Sequence, residues 1–403
     1  MKILMIAPQP FFEPRGTPIS VFQRLEGLSK LGHNVDLVTY HVGRDVEIPG
    51  VQVFRAPRIP FIKKLKVGPS WSKLPLDIIL SFKTVELLLR NRYDVIHSHE
   101  EAGMFTVPLA MLFHTRHLYD MHSSLPRQLV NFGFLDNWLF IKLFELLERL
   151  MINTCDAMIT IGPDLEAHVK TINPAVNQIM IENLPLRTGE GPDAPPQPEA
   201  LRARLGLDGE LAVVYTGTFE RYQGVNLLLE SARKVMDRFD KVAFILAGGQ
   251  AQQIEEMRAL AKQLRLDDRI HFLGTVSVEE ANQVLDMADI LVSPRIEGTS
   301  VPLKIYSYLY AAKPILATNL IAHSAVLDHE SAMLVEPTSD AFAQGLLALL
   351  EDPGLRSRLS HKARQLAEEK YNTANYLAKL EKIYRVFQPA AIPNEEPVQT
   401  SGN

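Results

Sequence analysis

The stretch that decides the fold is residues 293–314, SPRIEGTSVPLKIYSYLYAAKP. An apolar run at 289–292 precedes it and a second run at 315–318 follows it, and both are typical of buried parallel strands. Between them the sequence predicts a helix that starts with Ser300 or Val301 at the cap and Pro302 in its first turn. Strand, loop, helix and strand in this order form one unit of a parallel α/β sheet.

The loop in this stretch predicts an anion site. Backbone N–H groups at a helix start, together with the positive end of the helix dipole, bind phosphates. Glu297 stands just ahead of those groups, and a carboxylate there suits a ligand that carries hydroxyls beside its phosphates, such as a nucleotide sugar. The alternative is that Glu297 only caps the helix. Arg295 and Lys304 flank the turn and add positive charge to the same wall.

Composition sets the class of protein. The chain has 403 residues, which is enough for two domains that each bury a core. A net charge of −5 argues against general nucleic-acid binding, and the single cysteine, Cys155, excludes an internal disulfide. No segment approaches the roughly 20 apolar residues of a membrane span. We therefore expect a cytoplasmic protein, with peripheral attachment to the inner face of the cell membrane as an option.

Alternating strand and helix patterns predict an α/β fold made of two doubly wound, Rossmann-like domains that face each other across a cleft. The first domain is expected at 1–184 and the second at 201–372. Residues 185–200 are rich in proline and glycine and lack apolar periodicity, as expected of a linker. A helix at 373–388 is expected to cross back to the first domain, and 389–403 to form a disordered tail.

Several loops that follow predicted strands carry candidate binding residues, because ligands of such sheets bind at the carboxyl ends of the strands. In the first domain these are Gly16 and Thr17, which form either a close-approach site or a plain turn, and His99 and His122, which either position a substrate or are structural. In the second domain the candidates after strands are glycines that admit a ligand closely and an arginine that either neutralises a diphosphate or is a solvated surface group: Gly217, Gly249 and Arg221.

A metal site at the same strand ends is an alternative, since histidines and acids are ligand types. The residues concerned are His97, His99, Glu100, Asp120 and His122. His97 and His99 alternate along one strand and share a face, but the spacing matches no known metal motif. We expect no bound metal and no other cofactor.

The segment 54–73 has a different character. No acidic residue occurs between Glu47 and Asp77, and basic residues alternate with apolar ones, a pattern that suits an anionic membrane surface. A second apolar strip contains Phe132, Trp138 and Phe144. The alternative interpretation is that the apolar residues are core and the charges lie on a solvated loop.

Taken together, the sequence resembles the retaining glycosyltransferases of family 4, which have the two-domain GT-B fold. The resemblance covers nearly the whole chain and rests on these residues: Gly16, Gly32-His33-x-Val35, Asp94-Val-Ile-His97-x-His99, Asp156-Ala-Met-Ile-Thr160, Asn183, Gly217 with Gly224, Glu297-Gly298, Pro302-x-Lys304 and Tyr308-x-x-Ala311-x-Lys313-Pro314.

The resemblance implies that the second domain binds a nucleotide-diphosphate sugar and that the first takes a lipid-linked or saccharide acceptor. Glu297 then contacts the donor sugar, and His122 lies beside the reacting sugar. The amides of Gly298, Thr299, Ser300 and Val301 hold the diphosphate. Retention of configuration is implied, with the leaving phosphate helping to deprotonate the acceptor, and metal is usually not required.

The chain departs from the family pattern at three positions. Thr218 and Gln223 stand where the family commonly has a cationic pair, so Arg221, or Arg295 and Lys304, would have to substitute. Ser307 stands where a second glutamate holds the nucleotide ribose. Two alternatives follow: a nucleotide-sugar epimerase on the same fold, and a non-catalytic sugar-nucleotide-binding protein.

Overall fold

The computed structural model describes residues 1–13, 16–60, 62, 65, 70, 73–127, 138–185, 198–266 and 269–388. The predicted tail at 389–403 lies outside the described residues, as does most of the predicted linker at 185–200. Their assignment as tail and linker therefore stays a prediction. Within the predicted linker range, the described part already begins a helix at Pro198.

The N-terminal half is a seven-stranded parallel sheet with strand order β3-β2-β1-β4-β5-β6-β7. Its strands are β1 Lys2–Ala7, β2 Asn34–Thr39, β3 Val51–Arg55, β4 Val95–His99, β5 Arg116–Met121, β6 Ala157–Thr160 and β7 Asn177–Met180. Its helices are α1 Gly16–Lys30, α2 Lys73–Arg90, α3 Gly103–Leu112, α4 Trp138–Thr154 and α5 Pro163–Ile172. Alternate residues of β1 explain the layering, since Ile3 and Met5 face α1 whereas Leu4 and Ile6 face α2.

The C-terminal half is a six-stranded parallel sheet with order β10-β9-β8-β11-β12-β13. Its strands are β8 Leu211–Thr216, β9 Val242–Ala247, β10 Ile270–Gly274, β11 Ile290–Ser293, β12 Ile315–Thr318 and β13 Met333–Val335. Its helices are α6 Pro198–Arg204, α7 Val225–Met236, α8 Ala251–Gln263, α9 Val278–Asp286, α10 Lys304–Ala311, α11 Ile321–Ser324, α12 Ser339–Glu351 and α13 Pro353–Lys370. The prediction of two parallel α/β domains is confirmed.

Strand order reverses direction at one place in each sheet. In the first sheet the reversal lies between β1 and β4, and in the second between β8 and β11. Ligands of open parallel sheets bind outside the strand ends at such switch points. His99 ends β4, and the loop that contains Glu297 follows β11, so the candidate residues of both domains lie at the expected edges.

The last helix, α14 Thr373–Tyr384, packs against the N-terminal sheet and α1. Its Tyr376 and Leu380 enter the same core as Val21 and Leu25 of α1. Gly27 of α1 allows this close approach, because a Cβ at that position would lie 2.7 Å from Leu380 Cδ2. The chain thus leaves the C-terminal domain after α13 and ends against the N-terminal one.

One predicted boundary is wrong. The helix expected to start at Ser300–Pro302 begins instead at Lys304, and residues 294–303 form a loop. The reason is local, because the Arg295 guanidinium holds this loop from within. Its Nε donates to the Glu297 carbonyl at 2.6 Å and its Nη1 to the Ser300 carbonyl at 3.0 Å. A loop wrapped around a guanidinium cannot also be the first helical turn.

Candidate active site

The loop after β11 presents a row of backbone donors. Gly298 has φ of +99°, a left-handed conformation that favours glycine, and a Cβ there would lie 2.5 Å from Arg295 Nη2. Gly298, Thr299 and Ser300 are exposed. Among the described residues, none of the backbone N–H groups of residues 298–301 donates to a protein acceptor. These N–H groups are therefore available to water or to a ligand.

Two cations lie against this loop. Lys304 Nζ sits 3.9 Å from the centre of the Tyr215 ring and 3.3 Å from the Gln223 amide oxygen. Arg295 stacks over Tyr222 with a guanidinium-to-centroid distance of 5.0 Å. Burial, and then repulsion from Arg295, hold the pKa of Lys304 well below its usual range. Within the described part of the chain, neither cation has a carboxylate within salt-bridge distance.

The glycine after β8 belongs to the same place. Gly217 has φ of +140°, and a Cβ there would lie 3.6 Å from Lys304 Nζ. Gly248 packs on the Gly217 backbone so closely that a Cβ at Gly248 would meet the Gly217 carbonyl oxygen at 1.9 Å. The ends of β8 and β9 and the start of α10 are thereby brought together around Lys304. The two glycines, Gly217 and Gly248, therefore leave space for a ligand beside the Lys304 ammonium.

Three predicted donor residues remain. Gly249 packs against the Phe219 ring, so its lack of a side chain is required by that contact as well. Ser307 is buried on α10, one turn beyond Lys304. Arg221 is exposed on the short 3-10 turn Arg221–Gln223 that follows β8. Direct roles of these three residues toward a donor stay predictions.

A buried histidine, His323, stabilises the loop after β11 through a chain of hydrogen bonds. His323 Nε2 lies 2.8 Å from the Ser293 hydroxyl, and its Nδ1 donates to the Thr318 carbonyl at 2.7 Å. The Thr318 hydroxyl in turn donates to the carbonyl of Arg295 at 2.6 Å. Burial lowers the pKa of His323 to about 4, so the imidazole is neutral near pH 7. Sequence inspection missed this residue.

In the N-terminal domain, four polar side chains form one buried cluster: two from β4, one from β5 and one from the residue just after β5. His97 and His99 stack with their ring centres 4.6 Å apart, as their alternation predicted. His99 Nδ1 lies 3.0 Å from His122 Nε2. Asp120 joins them, with its oxygens 3.4 Å from His97 Nε2 and 3.2 Å from His122 Nε2. All four are at least nine-tenths buried.

A buried arginine neutralises this cluster. Arg24 of α1 donates through Nε to Asp120 at 2.9 Å and through Nη1 to the Tyr376 hydroxyl at 2.8 Å. Tyr384, on the same C-terminal helix as Tyr376, lies 2.7 Å from His97 Nδ1. Although burial alone would raise it, Arg24 and the histidines hold the pKa of Asp120 well below its usual range. Burial lowers the pKa of His122 to about 4, against the attraction of Asp120.

The cluster resembles a metal site in composition but not in charge. His97, His99 and Asp120 offer ligand atoms within 4.8 Å of one another. Asp120 is already paired with Arg24 in a fully buried position. A divalent ion added there would leave an uncompensated double positive charge away from water, which is strongly unfavourable. The charge balance therefore favours the metal-free interpretation.

A second polar group lies at the end of β4. Glu101 pairs with Lys73 at 3.0 Å, and Tyr40 donates to Asp77. Burial and then Glu101 raise the pKa of Glu100 to about 7, and the same two causes raise the pKa of Asp77 to about 7. These carboxyl groups can hold or release a proton near neutral pH.

The predicted acceptor residues Gly16 and Thr17 are the first residues of α1. Gly16 is exposed with φ of +49°, and nothing would lie within 4 Å of a Cβ there. Their role stays a prediction.

The described apolar side chains of segment 54–73 do not lie on the surface, as the membrane hypothesis would require. Phe54, Ile62 and Leu65 pack into the core, and Arg55 is held by Asp45 at 2.8 Å. Lys73 pairs with Glu101 as described above. Trp71 and the basic residues Lys63, Lys64 and Lys66 lie outside the described residues. For the described apolar side chains of this segment, the alternative interpretation, that they belong to the core, is right.

Exposed apolar side chains occur instead on two helices, α2 and α4, which each pack against α3. On α2, Leu74, Ile78 and Phe82 are 53%, 58% and 69% exposed and recur every four residues. On α4, Trp138 and Leu146 are 72% and 64% exposed. Phe132 of the predicted strip lies outside the described residues, whereas Trp138 is clearly not core. Among the described residues, no helix is both long and apolar enough to cross a membrane.

Comparison with known proteins covers both domains. The family described as Glycosyltransferase Family 4 matches residues 14–179, and the family described as Glycosyl transferases group 1 matches residues 210–352. The phosphatidyl-myo-inositol mannosyltransferase of Mycobacterium leprae is 26% identical over 374 residues, which span 89% of this chain and 90% of that protein.

Solved structures of glycosyltransferases share the fold. Sucrose-phosphate synthase from Thermosynechococcus elongatus matches with a TM-score of 0.74 and 20% identity over 95% of this chain and 98% of that one. HepE of Anabaena, in a crystal structure with UDP-glucose, matches with a TM-score of 0.71 and 15% identity, also over 95% and 98%. At these identities the likeness concerns the fold alone, and it agrees with the expected two-domain arrangement.

Proposed function

The chain belongs to the family 4 glycosyltransferases, and on that premise we propose that it is a retaining enzyme that moves a hexose-type sugar from a nucleoside diphosphate to a lipid-linked or saccharide acceptor. The donor would bind in the C-terminal domain and the acceptor in the N-terminal one. The mannosyltransferase of Mycobacterium leprae, named for phosphatidyl-myo-inositol, supports a lipid-linked acceptor. The UDP-glucose complex of HepE supports a uridine-type donor.

One observation carries the proposal: the uncompensated pair Arg295 and Lys304 beside unused backbone donors. Taking an ammonium out of water without a carboxylate is costly, so such a group is retained where a ligand supplies the negative charge. A diphosphate does this, and its oxygens accept hydrogen bonds from the free amides of residues 298–301. The same two cations take the place of the missing pair at Thr218 and Gln223.

The proposed chemistry needs no other charge carrier. Negative charge builds on the diphosphate as the sugar leaves, and Lys304 stabilises it there. Glu297, exposed at the mouth of the loop, would accept hydrogen bonds from the sugar hydroxyls and orient the ring. The departing phosphate would take the proton of the acceptor hydroxyl on the same face, which gives retention. His122 would face the reacting sugar from the N-terminal domain.

We also propose that the protein works at an anionic membrane surface, as a peripheral protein on the cytoplasmic side. The support is the apolar row Leu74, Ile78 and Phe82 on α2, which directly follows the acid-free basic segment 54–73. Basic residues near an apolar helix face bind anionic lipids through both charge and burial. The surface would bring the enzyme to a lipid-linked acceptor.

A nucleotide-sugar panel tests the catalytic proposal. The protein is incubated with UDP-, GDP- and ADP-sugars, with and without a lipid extract, and release of the nucleoside diphosphate is followed. Acceptor-dependent release is the expected result. A changed sugar without release would favour the epimerase, for which Glu100 and Asp77 would be the proton carriers. Binding without either outcome would leave a non-catalytic binding protein.

Vesicle sedimentation tests the membrane proposal. Wild type is expected to sediment with phosphatidylglycerol vesicles more than with phosphatidylcholine vesicles. Exchange of Phe82 and Leu146 for serine should reduce that binding severalfold. Ile321→Ser is the matched control, since Ile321 is also exposed but lies in the C-terminal domain. Equal sedimentation of all variants would exclude these helices as the contact.

A further inference from the structure

Helix α4 is apolar on the side that faces away from the protein. Residues 138–147, the outer half of this helix, all belong to the described chain, and none of them is buried. The first buried residue of the helix is Glu148. Full burial is therefore confined to the second half of α4. The exposed side chains include a row of leucines at intervals of four, three and four residues: Leu139, Leu143, Leu146 and Leu150.

An anionic bilayer fits this surface. Lys142 and Arg149 flank the leucine row and are exposed. Helix α3, which lies against both α2 and α4, adds exposed Met111 and Leu112 to the apolar surface. A helix with an apolar face and basic flanks binds anionic lipid through burial and charge together. A stretch of helix with so little packing of its own also gains order from whatever covers it.

Glu148 joins α4 to the segment after β5, residues 122–127. The Ser124 hydroxyl donates to Glu148 Oε1 at 3.2 Å, and His168 Nε2 of α5 lies 2.7 Å from the same oxygen. Ser124 and Glu148 are both more than nine-tenths buried. Breaking a buried hydrogen bond leaves its donor or acceptor without a partner away from water, which is costly. The bond therefore fixes the position of the segment relative to α4.

The segment 122–127 lies at the carboxyl edge of the N-terminal sheet. It starts directly after β5, which lies next to β4 at the switch point. Ser123 forms a hydrogen bond with Glu100, just after β4. Arg127 donates to Asp164 of α5 at 2.8 Å. The segment is thus held from three elements, and its contact at Ser124 is the one that α4 supplies.

We propose that contact of α4 with an anionic bilayer sets the position of the segment 122–127, and that Glu148 is the positioning residue that transmits this contact. The proposal rests on the proposed function, in which the protein works at such a surface. The bilayer covers the leucine row and orders the outer half of α4. Because helix order is cooperative from turn to turn, the turn that contains Glu148 is then held more firmly. Its bond to Ser124 fixes the segment at the sheet edge where the lipid-linked acceptor would bind.

Hydrogen exchange of the full-length protein tests this link. Exchange of residues 122–127 is followed by mass spectrometry without vesicles, with phosphatidylglycerol vesicles and with phosphatidylcholine vesicles. In wild type, phosphatidylglycerol vesicles should slow it by about three- to tenfold, which is the contribution of one hydrogen bond. Glu148→Met keeps the length of the buried side chain but has no carboxylate. This variant should still sediment with the vesicles, whereas its segment should exchange equally fast with and without them.

Glu145→Met is the matched control, because it makes the same substitution on the same helix at a residue that pairs with exposed Lys142. Its segment should respond to vesicles as in wild type. Ser124→Ala decides the matter where Glu148→Met fails to fold, since it deletes one hydroxyl and should also abolish the response. A full response in both Glu148→Met and Ser124→Ala would overturn the proposal. So would a vesicle-bound wild type whose segment is not slowed.

Other readouts separate this proposal from the proposed function. Wild type that does not sediment with phosphatidylglycerol vesicles would overturn the membrane proposal and this one with it. A normal response of the segment without turnover of any nucleotide sugar would overturn the catalytic proposal alone. Where transfer occurs, Glu148→Met should raise the KM for a vesicle-borne acceptor by about three- to tenfold and leave the donor KM unchanged. A vesicle-free dimer that Leu143→Ser abolishes would assign the leucine row to a second copy of the chain and overturn the bilayer contact.

Discussion

Replacing Lys304 by methionine should separate the effect of the partly buried ammonium on the stability of the ligand-free protein from its effect on ligand binding. The ammonium rests on the Tyr215 ring 3.9 Å away and has only the Gln223 amide as a polar partner at 3.3 Å. Methionine keeps the length of the side chain and the contact with the ring. Removal of a partly buried ammonium that has no carboxylate partner should stabilise the ligand-free protein by about 1 kcal/mol at most. Thermal unfolding should then rise by about 2–4 °C.

Ligand binding should change in the opposite direction. A hydrogen bond from a charged donor contributes about 1.5–3 kcal/mol, so the variant should bind a nucleoside diphosphate about 10- to 150-fold more weakly. Calorimetric titration with UDP, GDP and ADP measures this. Lys241→Met is the matched control, because Lys241 is exposed just before β9. The control should bind like wild type.

Proton uptake makes the prediction sharper. Burial and Arg295 lower the pKa of Lys304 in the free protein, and a bound diphosphate would raise it. Wild type should therefore take up protons on binding, and its affinity should fall as pH rises from the free pKa toward the bound one. Titration in two buffers of different ionisation enthalpy detects the uptake, which Lys304→Met should lack. Equal affinity, or a ligand-free variant that is less stable than wild type, would refute the reasoning.

Three further predictions follow from the described geometry. Gly298→Ala should weaken UDP binding by about 1–3 kcal/mol, because it strains a φ of +99° and places a methyl 2.5 Å from Arg295 Nη2; unchanged titration would contradict it. Glu297→Ala should weaken transition-state binding, measured through kcat/KM, by roughly 2–4 kcal/mol and leave UDP affinity intact. A loss of UDP affinity would instead indicate that Glu297 acts at the phosphates. Acid should destabilise the fold between about pH 6.5 and pH 4. The folded pKa values of His122 and His323 are about 4, lower than the unfolded value, so their contribution to stability is present above this window and is lost as the pH falls through it. A urea midpoint that does not change across this window would contradict the prediction.

The two sheets were predictable because their strands are buried on both faces. A parallel strand covered by helices on either side is a short, continuous apolar run, and β12 at Ile315–Thr318 has the predicted bounds. The run expected at 289–292 is observed one residue later, at Ile290–Ser293.

The start of α10 was not predictable from local signals. Ser300 and Pro302 are typical helix-start residues, and the prediction relied on them. The actual loop depends on the Arg295 side chain reaching two carbonyls, Glu297 at 2.6 Å and Ser300 at 3.0 Å. Side-chain hydrogen bonds of this kind leave no periodic trace in a sequence. The consequence for the site is that its donors belong to a loop held by a cation, with Lys304 as the first helical residue.

Arg24 was invisible for a different reason. It lies on α1 among Val21, Leu25 and Leu28, and an arginine on a helix is usually placed at the surface. Its partners Asp120 and Tyr376 are 96 and 352 residues away in sequence. The only hint is that the charge interrupts the apolar face. A burial that depends on partners so distant can be read only from the folded chain.

The balance of charge distinguishes the two halves of the site. In the N-terminal cluster the Asp120 charge is neutralised by Arg24, and the histidines around it are neutral, so the charge of the group is balanced without a ligand. In the C-terminal loop Lys304 and Arg295 repel each other and face amides that donate to nothing in the described chain. The charge-balanced N-terminal cluster needs no counterion, whereas the two cations of the C-terminal loop require an anion. We therefore expect the donor diphosphate to bind first and to fix the C-terminal loop, while the N-terminal histidines meet the sugar already in position.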